Sequence, residues 1–91
     1  MMHEFVTYAD GTLVVSSDIR KKENGDEYII ISFERPMEYG FDTIVFELPG
    51  YEVIEREGHF SEEEIALFKT VVERGAGYFF DVARGGEIQS A

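Results

Sequence analysis

His3 and His59 are the only imidazoles in 91 residues, and they stand beside 19 carboxylates and no cysteine. Imidazole nitrogens and carboxylate oxygens are the donor set of zinc and iron sites, but such a site needs its ligands at close spacing or delivered together by neighbouring elements. His3 reads as a terminal strand residue. His59 falls in the connection Glu57-Gly58-His59-Phe60 and reads as a solvated loop residue, so no metal role is expected. Without cysteine the chain can form no disulfide, thiolate nucleophile or Cys-based zinc site.

Paired carboxylates can act as acid and base when folding sets them about 5–9 Å apart. With 19 to choose from, their presence alone singles out no pair. Ser16, Ser17, Ser32 and Ser61 lack the glycine context of a nucleophile elbow. Gly75-Ala-Gly77 follows a helical pattern instead of opening one, so it does not read as a phosphate loop. No catalytic residue, cofactor or metal is expected, and the chain reads as a non-enzyme.

The elements that would position any site begin with two turn dipeptides. Asp10-Gly11 separates Phe5–Ala9 from Thr12–Ser17, and Asn24-Gly25 separates Ile19–Lys22 from Tyr28–Phe33. Asp, Asn and Gly tolerate the positive φ of tight hairpin turns, so a three-strand meander is expected. Two-residue loops would set Val6 opposite Val15, Tyr8 opposite Leu13 and Ile19 opposite Ile30. The same register puts Asp18 beside Ile31 and Ser16 beside Phe33. That mismatch asks for a bulge, or for a central, doubly covered Tyr28–Phe33 strand, and the central position is preferred.

Met37-Glu38-Tyr39-Gly40-Phe41 reads as an apolar loop after Pro36. Ile44, Phe46 and Leu48 then alternate through a fourth strand, Thr43–Leu48. Pro49-Gly50 suits a type II turn into a fifth strand, Tyr51–Glu55, which would place Glu47 opposite Glu52. Like charges so placed repel, and the pair must splay or take a cation from elsewhere.

Ser61 followed by Glu64 is a capping box, and Glu62, Glu63 and Glu64 suit the positive end of a helix. Ile65, Phe68 and Val72 mark one face of a helix over Ser61–Arg74, with Gly75-Ala-Gly77 as its stop. Tyr78–Arg84 reads as a second short helix or a closing strand, and 85–91 as a frayed tail. The expectation is one α+β domain over residues 1–91, an antiparallel sheet of about five strands with one C-terminal helix on one face.

Charge is unevenly distributed over these elements. Between Glu23 and Glu64 there are 13 acidic side chains against Arg35 and Arg56, which accounts for the whole formal charge of −11. Such a surface repels phosphates, so direct binding to nucleic acid or an anionic membrane is not expected. A basic protein partner suits it, including one whose groove normally holds nucleic acid. Glu34, Glu38, Asp42, Glu47, Glu52 and Glu55 are the candidate contact residues, with Met37, Tyr39 and Phe41 as apolar anchors.

The N-terminus lacks a basic stretch followed by an apolar run, and the chain reads as soluble and cytoplasmic. The functional expectation is a small accessory or regulatory protein acting by protein–protein contact. Two other readings stay open: a homo-oligomer, completed as a homodimer by an edge strand or the Tyr78–Phe80 segment, whose charge only confers solubility, and a ligand-binding or carboxylate-dependent enzyme domain.

Overall fold

A computed structural model describes residues 2–85. The chain runs through β1 (Met2–Thr7), β2 (Leu13–Ser17), β3 (Arg20–Lys21), β4 (Glu27–Met37), β5 (Gly40–Leu48), β6 (Glu52–Glu57) and α1 (Glu62–Ala83). The strands form an antiparallel sheet in the order β1-β2-β4-β5-β6, with β3 pairing the start of β4. The expected α+β fold is therefore present, with a sixth, two-residue strand, and β4 holds the central position.

Strand alternation sorts the sheet into two faces. Val14, Ile29, Ile31, Phe33, Ile44, Phe46 and Leu48 point to one side and are buried with Phe68, Val72 and Phe79 of α1. Phe33 stacks on Phe68 at 4.3 Å and meets Phe46 edge-on at 5.8 Å. Each such large side chain removed from water stabilises the fold by about 1.5–3 kcal/mol. The opposite face carries Val15, Ser32, Thr43 and Val45, each buried to 9% exposure or less, while α1, the one helix among the described residues, packs on the other side.

The registers differ from the expected ones. In the first hairpin Val6 pairs Val14 and Thr7 pairs Leu13, and a bulge falls between Glu4 and Val6. The first turn is longer than two residues. Tyr8 N–H donates to Thr12 O and Gly11 N–H to Tyr8 O, while Asp10 accepts from Thr12 N–H. Between β2 and β4 the pairing is Val14 with Phe33 and Ser16 with Ile31. That is a two-residue slip, which leaves every side chain on its proper face. β3 then pairs Arg20 with Tyr28 in place of the expected Ile19 with Ile30.

The expected apolar loop 37–41 is the tip of a hairpin, with Met37, Gly40 and Phe41 in its strands. β4 continues through Pro36 to Met37, and Met37 pairs Gly40 across Glu38-Tyr39. Pro36 sits beyond the last β2 partner, Glu34, so its missing N–H removes nothing from that ladder. The β5–β6 turn also departs from type II: Leu48–Pro49 is cis, and the positive φ, 58°, falls on Tyr51.

The largest correction concerns the helix. Ser61 caps it as expected, its hydroxyl accepting from Glu64 N–H while the Glu64 carboxylate accepts from Ser61 N–H. Gly75 and Gly77 do not end it, and Tyr78–Ala83 belongs to the same helix. A helical glycine costs about 1 kcal/mol against alanine. Here the packing of Phe79 outweighs that: Phe79 is buried against Phe5 at 4.8 Å, and a Cβ on Gly75 would stand 2.9 Å from its ring. Of the expected frayed tail only Gly85 lies among the described residues, in a turn after the helix, and 86–91 lie outside them.

Candidate interaction surface

Two groups of carboxylates arise from the acidic run, and the fold treats them differently. The first surrounds Asp42. Because Glu38-Tyr39 closes a two-residue turn, Arg35 on β4 is the register partner of Asp42 on β5. Arg35 donates to Asp42 Oδ2 through Nη2 at 2.7 Å and Nε at 3.0 Å. Asp42 Oδ1 accepts from the Tyr39 hydroxyl and, at 2.8 Å, from His59 N–H. Arg35 Nη1 reaches Glu64 Oε2 at 2.6 Å and Asp10 Oδ2 at 3.4 Å, while its guanidinium lies over the Phe60 ring at 4.6 Å.

This cluster joins the first turn, the β4–β5 hairpin, the β6–α1 connection and the helix N-terminus. Burial, the largest single effect on Asp42, raises its carboxyl pKa, but the bonds from Tyr39, His59 N–H and Arg35 together outweigh it and lower the pKa to about 2. Ser61 N–H, then Arg35, lowers that of Glu64, and the Asp42 bond raises that of Arg35. Gly58 has φ +85°, and a Cβ there would lie 2.8 Å from Asp42 Cα and against its Oδ1. The His59 ring nitrogen stands 3.9 Å from Oδ1, past hydrogen-bond range, so His59 contributes through its backbone. Asp42 is fully buried with both oxygens occupied, and it offers nothing to a partner.

The second group lies on the uncovered face. Glu34 aligns with Thr43 and Leu13, Glu47 with Ile30 and Glu52, and Glu55 with Val45. Alternation places these four expected contact residues on the same side, around short central side chains. Glu47 does face Glu52, as the turn spacing implies, and the cation comes from Lys22, whose Nζ lies 2.8 Å from Glu47 and 5.6 Å from the centre of the Tyr28 ring. The Glu47 bond raises the Lys22 pKa. These groups line a cleft of about 340 Å³ with Asp26, Glu27 and Pro49.

Glu38 is exposed in the hairpin turn, flanked by Met37 at 43%, Tyr39 at 55% and Phe41 at 59% exposure. Phe41 pairs Pro36 and so shares the uncovered face with Glu34, whereas Tyr39 packs edge-on against His59 at 5.0 Å. The structure thus brings Glu34, Glu47, Glu52, Glu55 and Phe41 to one face and removes Asp42 from it. Arg35 is the organising residue that spacing alone missed; the signal was Gly40, which fixes the short turn and hence the Arg35–Asp42 register. Among the described residues no group of three or more His, Asp or Glu is arranged to hold a metal, and no helix is long and apolar enough to cross a membrane.

Comparison with family models, with curated proteins and with solved structures gives no match. What the fold defines is a small α+β domain with one helix-covered and one uncovered sheet face.

Proposed function

We propose that this is a non-enzymatic accessory or regulatory protein that binds a basic protein partner through the uncovered sheet face. The observation that carries the reading is the placement of Glu34, Glu47, Glu52 and Glu55 on one rigid face that the helix leaves open. Carboxylates held on a sheet steer a cationic partner during encounter, and that advantage falls as salt screens it. Phe41, exposed at the hairpin tip on the same side as Glu34, supplies apolar contact beside the charged field, whereas alternation turns Met37 to the other side. The cytosol, where no disulfide is needed, suits a chain without cysteine.

The test is capture from a native lysate with the wild-type chain and with a Glu52→Lys/Glu55→Lys variant, each washed at low and at high salt. Both residues are exposed on β6, so the variant should fold with stability changed by no more than about 0.5 kcal/mol per site. The reading expects a basic protein retained by wild type at low salt, released at high salt and lost with the variant. Equal retention by both chains overturns it.

A further inference from the structure

We propose that a second copy of this chain pairs along β1, the sheet edge opposite the acidic β6, with the adjoining flank of α1 completing the interface. This goes beyond the reading of the acidic face and uses none of its residues.

β1 is an edge strand, and its outer N–H and C=O groups have no ladder partner among the described residues. Phe5 and Val6 stay exposed on it. Phe5 leans on Tyr78, itself exposed, at 5.4 Å. One helical stretch nearer the N-terminus of α1, a groove of about 490 Å³ opens between the first turn and the helix, lined by Tyr8, Phe68, Val71 and Leu67, the last 63% exposed. An unpaired strand edge and an apolar helix flank therefore lie side by side.

Charge selects the occupant. β1 holds only Glu4 and His3, and residues 65–83 balance Lys69 and Arg74 against Glu73 and Asp81, so this edge is close to neutral in a chain of net charge −11. Asp10 and Glu64 at the groove are already bonded to Arg35 and offer a basic partner little counter-charge. β6 lies four strand spacings away, about 19 Å at the usual 4.8 Å interval. Pairing through β1 is the approach that keeps two acidic regions farthest apart. Both edges carry a bulge, but β6 adds three acidic charges that discourage edge-to-edge pairing, Glu52, Glu55 and Glu57, while Met2–Thr7 has Glu4 as its one acidic residue and no Lys or Pro. An antiparallel strand laid against its own copy satisfies both outer ladders by the same contacts, the requirement of a two-fold interface. Tyr78, Leu67 and the groove of one protomer then face those of the other.

Sedimentation of the full chain over a wide concentration range, at low and at high salt, tests the proposal. The expected species at high concentration has twice the 10.4 kDa of the monomer, and its formation strengthens with salt because screening relieves repulsion between two acidic chains. Leu67→Glu and Val6→Lys should each weaken dimerisation about tenfold or more, as loss of a central interface residue does. Leu67 is mostly exposed, so its variant retains the fold even if Val6→Lys is impaired, and circular dichroism checks both. A monomer at every concentration, a dimer indifferent to Leu67→Glu, or a dimer dissolved by salt overturns the proposal. Loss of basic-partner capture in Glu52→Lys/Glu55→Lys with the dimer intact would separate the two surfaces.

Discussion

Asp42 and the Glu47–Glu52 pair come from the same acidic stretch of chain but end in opposite situations. Asp42 sits where a hairpin register delivers Arg35, a glycine-shaped loop delivers His59 N–H, and Tyr39 closes the remaining side. Glu47 and Glu52 face each other at the open end of β5 and β6, where the cation that the described residues bring to Glu47 is Lys22, at the end of a flexible, half-exposed side chain. A carboxylate met by rigid donors becomes part of the framework. One met by a mobile ammonium remains open to exchange with another cation, because exposed ion pairs are weak. Acid content alone does not tell which carboxylates can bind; the donors around each one do.

The sharpest way to break this contrast is at Arg35. Arg35→Ala leaves Asp42 buried without its main counter-charge and should cost about 3–5 kcal/mol, read from denaturant unfolding. A loss below about 1 kcal/mol would mean that the cluster is no framework. Gly58→Ala forces a Cβ into the space of Asp42 at positive φ and should cost on the order of 2 kcal/mol, visible as a lowered melting temperature.

Acid should find the same weak point. The Asp42 carboxyl is held at about 2, below its ordinary 3.8, so its contribution is fully present above about pH 4 and is lost as pH falls toward 2. The lowered pKa values of Asp10 and Glu64, caused first by bonds from Thr12 and from Ser61 N–H respectively, act in the same direction. Asp42→Asn should therefore be less stable than wild type at neutral pH and lose less on acidification. Urea midpoints measured at descending pH compare the two slopes. At the other end of the scale, Lys22→Ala should change stability by less than about 1 kcal/mol, since it removes an exposed pair.

Much of the framework was legible. The capping box set the helix start because Ser61 and Glu64 act locally, and the alternation of Ile44, Phe46 and Leu48 identified the helix-covered face of β5, although Thr43 and Val45 on its other face are buried as well. The Glu47–Glu52 opposition followed from the short Pro49-Gly50 connection even though its turn type differs. What escaped was decided by distant contacts. Gly75 looks like a stop until Phe79 is seen packed against it and against Phe5, some 70 residues upstream. Glu38-Tyr39 lacks turn chemistry of its own, and Gly40 is the single local sign of the short turn that pairs Arg35 with Asp42 and buries Asp42 apart from the exposed acids. Lys22 as partner of Glu47 required the β3 loop to fold toward the start of β6, which no local spacing encodes.

The most direct measurement is carboxyl footprinting, with carbodiimide labelling of the free chain and of the chain held in its captured complex, read site by site by mass spectrometry. The account predicts that Glu34, Glu47, Glu52 and Glu55 label in the free chain and are protected in the complex, while Asp42 stays unlabelled in both. Labelling of Asp42 in the folded free chain, or unchanged labelling of the four glutamates on binding, would contradict it.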